Sequence, residues 1–119
     1  MRVSGTSGAV RGATVWLTGL PAAGKTTIGD AVTMLLAGDG YACYRLDGDE
    51  LRRTLNADLG FDAAGRHENI RRAAHLARIL ADAGLVVVAS LISPYRADRR
   101  AVRELHEAAA LPFLEIYLD

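Results

Sequence analysis

A short glycine-bounded segment that ends in lysine and threonine sets the strongest limit on how this chain can fold. Residues 19–26 read GLPAAGKT and match the pattern G-x-x-x-x-G-K-[ST]. An apolar run, residues 13–18, precedes the segment, and apolar residues at helical spacing follow it from Gly24 onward. The pattern is a reliable structural signal only where a strand precedes it and a helix follows it. The sequence therefore predicts a β-strand, a tight loop and an α-helix in succession.

The loop is predicted to form an anion-binding site. Its backbone N–H groups can turn inward around phosphate oxygens, and the following helix adds the positive end of its dipole. Lys25, the only lysine of the chain, would lie near the β- and γ-phosphates, and the Thr26 hydroxyl could ligate Mg²⁺. A strand-to-helix turn with an incidental lysine is the weaker alternative, because motif and context agree. We predict an ATP and Mg²⁺ site formed by Gly19, Leu20, Pro21, Ala22, Ala23, Gly24, Lys25, Thr26 and Thr27.

The rest of the chain alternates between strand and helix patterns. Predicted strands cover residues 13–18, 41–46, 85–89 and 113–118. Predicted helices run from residue 24 to the glycines at 38 and 40, and over residues 49–55, 68–83 and 98–110. This alternation implies βαβ units. We predict an α/β, three-layer P-loop NTPase fold with a parallel sheet of about four strands, in one domain (13–119) after a flexible lead-in (1–12).

Charge and composition narrow the function classes. Basic and acidic side chains balance at 14 each, so the net charge is zero and a nucleic-acid partner is not expected. Cys43 is the only cysteine, which excludes a disulfide within the chain. Because no secretory signal pattern or membrane-length apolar run is present, we predict no membrane contact and a cytoplasmic location.

An acidic turn follows the second predicted strand. Asp47 precedes Gly48, which lets the backbone turn, and Asp49 comes next. Capping of the following helix is an alternative role for Asp49. The third predicted strand ends without the aspartate that often holds Mg²⁺ in this fold class. We therefore predict that Asp47 holds the metal and accepts a proton from a hydroxyl acceptor.

Five ordered motifs resemble those of adenylyl-sulfate kinases. They are residues 19–26, residues 46–49 (LDGD) with Arg52, residues 55–61 (LNADLGF), Arg66 with residues 68–72 (ENIRR), and residues 92–96 (ISPYR). The resemblance covers residues 14–119. It implies transfer of the ATP γ-phosphate to the 3′-hydroxyl of adenosine 5′-phosphosulfate, a step of sulfate assimilation.

The resemblance also implies roles for individual residues. Asp47 would meet the reacting hydroxyl, and Lys25, Asp47 and Ser93 would be catalytic. Ser93 matches a serine described in the family as a phosphoserine intermediate, although a hydrogen bond to the substrate is an alternative role. Phe61 would stack on the adenine. The set implied to bind adenosine 5′-phosphosulfate is Asp49, Arg52, Phe61, Arg66, Asn69, Ile92 and Ser93.

The match to the family has departures. Pro21-Ala22 replaces the usual Ser-Gly, Gly65 stands where aspartate is common, and Leu91 stands where phenylalanine is common. The chain ends after the fourth predicted strand, so we expect it to lack the family's C-terminal lid and to leave that strand at an exposed edge.

Three functional interpretations stay open. The chain could act as the kinase, as a non-catalytic nucleotide-binding fragment, or as another P-loop small-molecule kinase. A homodimer and an ATP sulfurylase, fused or separate, are the partners that the resemblance allows. The three histidines show no metal-ligand spacing and are predicted to be surface or partly buried residues: His67, His75 and His106.

Overall fold

The computed structural model describes residues 12–19 and 24–118, in which strands and helices alternate except that two helices follow the second strand. The elements are β1 (Ala13–Gly19), α1 (Lys25–Gly38), β2 (Cys43–Asp47), α2 (Gly48–Arg53), α3 (Ala63–Asp82), β3 (Val86–Ser90), α4 (Arg96–Ala108) and β4 (Phe113–Leu118). The predicted α/β class is confirmed. None of the described helices is long and apolar enough to cross a membrane.

The four strands form one parallel sheet in the order β2-β3-β1-β4. In its register, Ser90 at the end of β3 pairs with Leu17 of β1 on one side and with Asp47 of β2 on the other. The carboxyl ends of these three strands therefore meet at one edge. Ligands of open α/β sheets bind at that edge.

The two faces of the sheet pack against different helices. On one face, Trp16, Val87 and Ala89 belong to a buried cluster with small residues of α3 and with Val102 of α4. The other face carries Arg45 of β2, which pairs with Val88 and donates a hydrogen bond to Asp30 of α1 (Nε–Oδ1, 3.1 Å). Since successive side chains alternate between faces, these contacts put helices on both sides of the sheet. The predicted three layers are thereby confirmed.

Helix α1 is present as predicted, and only part of the apolar face that its periodicity indicates is covered by other elements. That face was Ile28, Ala31, Val32, Leu35 and Leu36, yet Leu35 is 72% exposed and Gly29 is the only buried residue of α1. A Cβ at Gly29 would overlap the Arg45 guanidinium, so the helix approaches the sheet most closely at the glycine. Periodicity identifies an apolar stripe but does not say which part of it another element covers.

Helix α3 begins at Ala63, five residues before the predicted start. The Asp62 carboxylate caps it by accepting a hydrogen bond from the Gly65 N–H at 2.8 Å. Because the predicted helix began at residue 68, the sequence analysis left Gly65 outside it, and that was wrong. The other predicted boundaries differ from the observed ones by two residues or fewer.

The prediction that His106 is a surface or partly buried residue is wrong, because its side chain is fully buried. Its Nδ1 lies 2.9 Å from the Val102 carbonyl oxygen, which can only accept, so Nδ1 carries the proton. Its Nε2 then accepts a hydrogen bond from the Thr14 hydroxyl at 2.8 Å. Desolvation lowers the pKa of His106 below its usual range.

The neutral state of His106 should make folding depend on pH. Because the pKa of His106 is lower in the folded protein, the unfolded chain binds the proton more strongly. The stability contributed by neutral His106 is complete above the ordinary value of 6.5 and is lost as the pH falls below it. Urea unfolding at about pH 7.5 and about pH 5.5 should show this loss in the wild type and a smaller loss in His106→Gln. The other histidines are common to both proteins, so an equal loss in both would contradict the assignment.

Candidate functional site

A cavity of about 690 Å³ opens at the carboxyl edge of the sheet. The carboxyl ends of β2 and β3 meet there, together with α2 and the first turns of α1 and α3. Most of the residues that the sequence pointed to line it: Gly24, Lys25, Thr26, Thr27, Asp47, Asp49, Arg52, Phe61, Arg66, Asn69 and Ile92. The fold thus brings the predicted phosphate residues and the predicted substrate residues to one place.

The phosphate loop is anchored by its two ends. Gly24 has a φ of 84°, a left-handed conformation that favours glycine, and α1 begins directly after it. At the other end, a Cβ on Gly19 would overlap the Leu118 carbonyl. The Lys25 ammonium donates a hydrogen bond back to the Gly19 carbonyl oxygen (3.2 Å), so the lysine side chain reaches the end of β1. The predicted phosphate residues Leu20, Pro21, Ala22 and Ala23 lie outside the described residues.

Asp47 closes β2 and stands at the N-cap position of α2, but its side chain makes no capping hydrogen bond. It is half-buried and lines the cavity with Lys25 and Thr26. Asp49 was considered as the cap, and that alternative is wrong, since Asp49 lies within the first turn of α2. The Asp47 carboxylate is therefore available to a ligand in the cavity.

Two guanidinium groups hold the aromatic rim of the cavity. Arg52 donates to the Gly60 carbonyl (Nη1–O, 2.9 Å) and stacks under Phe61, 4.3 Å from the ring centroid. Arg66 donates to the Phe61 carbonyl (Nε–O, 2.8 Å). The Phe61 side chain is 71% exposed, so its ring offers an apolar surface for stacking at the cavity mouth.

Asn69 reaches the cavity from the second turn of α3 and is nearly buried. Ion pairs connect the residues around Asn69. Arg72 donates to the carboxylates of Asp58 (Nη1–Oδ1, 2.8 Å) and Glu68 (Nε–Oε2, 2.9 Å), which joins the loop after α2 to α3. Hydrogen bonds from Arg71 and Arg72 lower the pKa of Glu68 to about 2. The loop before α3 is thereby fixed against the helix that carries Asn69.

Ser93 is a predicted site residue that, like Gly19, does not line the cavity. Its side chain is buried, and it is absent from the lining. Its Oγ accepts a hydrogen bond from the Trp16 indole (3.1 Å) and donates to the Leu91 carbonyl (3.3 Å). Both hydroxyl functions are used inside the protein, so the geometry contradicts its interpretation as a residue that contacts the substrate.

The sequence analysis missed several lining residues. Ser90, Leu91 and Pro94 follow β3 at the cavity edge, and the Ser90 hydroxyl is 3.4 Å from the Lys25 carbonyl. Their position just after a predicted strand could have identified them as residues at the ligand-binding edge of the sheet. Among the described residues, no three His, Cys, Asp or Glu side chains form a metal cluster.

A second cavity of about 540 Å³ lies between α3 and α4 and is lined by residues of both helices. His67 of α3 and Asp98 of α4 stand at it, with His67 Nδ1 2.7 Å from an Asp98 carboxylate oxygen. None of the predicted site residues lines this cavity.

The family model of adenylylsulphate kinase matches residues 11–119. The chain belongs to the adenylylsulphate kinase family. It is 50% identical to an adenylyl-sulfate kinase of Saccharomyces cerevisiae over 108 residues, which are 91% of this chain and 54% of the relative. The adenylyl-sulfate kinase of Penicillium chrysogenum is 49% identical and is covered to 55%. The chain thus spans about half the length of the curated relatives it matches.

Solved structures agree with the family assignment. The Mycobacterium tuberculosis APS kinase in complex with AMPPNP and APS has a TM-score of 0.89 and 45% identity, over 92% of this chain and 64% of that one. A hexameric APS kinase from Thiobacillus denitrificans has a TM-score of 0.83 and 38% identity, over 92% of this chain and 22% of that one. A gluconokinase from Sinorhizobium meliloti, at 19% identity and a TM-score of 0.59, shares the fold alone.

Gly65 allows the Phe61 loop to approach α3. A Cβ at this position would overlap the Gly60 carbonyl, which is backbone and cannot rotate away. We expect Gly65→Ala to destabilise the protein by about 1–3 kcal/mol and to displace the rim that carries Phe61. Urea unfolding measures the first effect. Amide chemical shifts of Gly60 and Phe61 measure the second.

Gly38 provides a matched control for this substitution, because it lies at the end of α1 and a Cβ there would meet nothing within 4 Å. Gly38→Ala should be neutral or stabilise the helix by up to about 1 kcal/mol. The same response from both variants would contradict the close approach at Gly65.

Proposed function

We propose that this chain provides the catalytic cavity of an ATP-dependent adenylyl-sulfate kinase. The reaction transfers the γ-phosphoryl group of ATP to the 3′-oxygen of adenosine 5′-phosphosulfate, with ADP as the leaving product. The observation that carries the proposal is that Lys25, Asp47 and Arg66 line one cavity. A phosphate-binding lysine, a carboxylate for the acceptor hydroxyl and a guanidinium for an anionic acceptor are the three groups that this transfer needs.

On the ATP side, the amides at the start of α1 and the Lys25 ammonium would bind the triphosphate. The protein groups present also fit Mg²⁺, since the Thr26 hydroxyl and the Asp47 carboxylate line the same cavity. Mg²⁺ is usually bound through one or two protein oxygens together with phosphates and water. When bound, it would neutralise charge on the phosphates.

On the acceptor side, guanidinium groups would bind the phosphosulfate. Arg52 and Arg66 each use part of their donor capacity on backbone carbonyls, and a guanidinium has five N–H groups in all. Phe61 would stack on the adenine, and Asp49, Asn69 and Ile92 would complete the pocket. Asp47 would orient the 3′-hydroxyl and accept its proton as the oxygen attacks phosphorus.

We propose direct transfer from ATP to the hydroxyl. The buried Ser93 Oγ, bonded to Trp16 and Leu91, supports its omission from the chemistry. A phosphoserine at Ser93 would lose the hydrogen bond that the hydroxyl donates to Leu91 and would place a charged phosphate at a buried position. The relatives' adenylyl-sulfate kinase names and the complex of one neighbour with AMPPNP and APS support this function over another P-loop kinase. A homodimer, an ATP sulfurylase partner and a cytoplasmic location remain predictions.

The acceptor assignment can be tested with a coupled assay for ADP release. We expect Mg-ATP turnover with adenosine 5′-phosphosulfate and little or none with gluconate or with AMP, which lacks the sulfate. Turnover with another acceptor and none with adenosine 5′-phosphosulfate would reject the substrate. Calorimetric binding of both nucleotides without any turnover would favour a non-catalytic fragment.

Asp47→Asn keeps the shape of the side chain but removes its charge and its basicity. We expect turnover to fall by at least about 10²-fold, while ATP binding stays measurable by calorimetry. Asp39→Asn is the matched control, because Asp39 is exposed after α1 and does not line the cavity. Normal turnover in Asp47→Asn would remove Asp47 from the mechanism.

A further inference from the structure

We propose that Asn56 is a positioning residue that orients the side-chain amide of Asn69, so that Asn69 presents its NH₂ group as a hydrogen-bond donor to the acceptor nucleotide. Asn56 is fully buried and does not line the cavity. It would therefore act through Asn69 rather than on the ligand. The inference rests on the proposed function, because it concerns how the same site recognises its acceptor.

Asn56 and Asn69 are joined by a short hydrogen bond. The Asn56 Nδ2 donates to the Asn69 Oδ1 at 2.8 Å and lies 3.5 Å from the Asn69 main-chain oxygen. The backbone of Asn56 is itself fixed, since its N–H donates to the Leu51 carbonyl at 2.7 Å. The pair links the loop after α2 to the second turn of α3.

The direction of this hydrogen bond follows from its surroundings. A guanidinium can only donate, so the Asn56 atom that faces the Arg72 Nη1 (3.5 Å) has to be its oxygen. A main-chain carbonyl can only accept, so the Asn56 atom that faces the Asn69 carbonyl has to be its nitrogen. Arg72 is held in place by Asp58 and Glu68. These two constraints orient Asn56, and Asn56 in turn directs the oxygen of Asn69 toward itself.

The hydrogen bond between Asn56 and Asn69 leaves Asn69 with a donor group at the cavity wall. With its oxygen engaged by Asn56, Asn69 has its Nδ2 left to bind a ligand, and the residue lines the cavity at 7% exposure. Arg52 and Arg66 line the same cavity and are also donors only. This part of the wall therefore favours a nucleotide that presents oxygen or nitrogen acceptors. A flipped Asn69 would present an acceptor to those atoms instead.

Asn56→Asp tests the orientation with nearly the same side-chain volume. A carboxylate at position 56 can only accept, so Asn69 should rotate its NH₂ toward residue 56 and turn its oxygen to the cavity. We expect the dissociation constant for adenosine 5′-phosphosulfate to rise about tenfold or more, with ATP affinity unchanged. Calorimetry on samples shown to be folded by circular dichroism gives both constants.

Two further variants separate positioning from simple support. Once Asn69→Ala has removed the amide, adding Asn56→Asp should cause no further loss of acceptor affinity. Thr54→Ala is the control. Thr54 lies in the same loop as Asn56, and the substitution removes its hydrogen bond to the Glu50 carbonyl without a change at Asn69. Wild-type acceptor affinity in Asn56→Asp, additive losses in the double variant, or an equal loss in Thr54→Ala would overturn the inference.

A ligand-free measurement distinguishes failure of this inference from failure of the proposed function. Scalar couplings across hydrogen bonds, read by NMR, should connect the Asn56 side-chain NH₂ to the Asn69 carboxamide carbon. The reverse connection would overturn the inference whatever the ligand. If the wild type shows the expected coupling but does not bind adenosine 5′-phosphosulfate, the acceptor assignment fails and the orientation of Asn69 stands.

Discussion

The parallel register of β1, β2 and β3 is the constraint on which the site depends. Because Ser90 pairs with both Leu17 and Asp47, β2 and β3 end at the same level of the sheet, and β1 ends two residues further on at Gly19. Lys25 then follows from the first loop and Asp47 from the second strand. Both residues line the cavity at this edge of the sheet. A shift of one residue in β2 would turn Asp47 to the other face.

Strand and helix order and most cavity residues could be predicted, because they depend on local pattern and on the order of elements along the chain. The start of α3 could not, since the cap by Asp62 and the contact between Gly65 and Gly60 are set by the folded loop. The burial of His106 and the internal bonds of Ser93 depend on Thr14 and Trp16, which lie more than 70 residues away along the chain. Patterns along the sequence do not contain such contacts.

The two halves of the cavity are held by different kinds of interaction. The half at the start of α1, which is proposed to bind phosphate, relies on the backbone conformation of Gly24 and on the hydrogen bond from Lys25 to Gly19. The half beside the loop between α2 and α3, which is proposed to bind the acceptor, relies on side chains. Its loop accepts hydrogen bonds, at backbone or carboxylate groups, from Arg52, Arg66 and Arg72.

This division bears on how selectivity could change within the fold. A loop that binds through backbone N–H groups responds mainly to substitutions that alter φ and ψ, so it tolerates many side chains and keeps its ligand class. A wall built from interlocked arginine and asparagine side chains responds to a single change of donor into acceptor, because each group also orients its neighbour. Under the proposed function, recognition of the acceptor nucleotide would depend on the buried hydrogen-bond network behind the cavity as well as on the residues that line it.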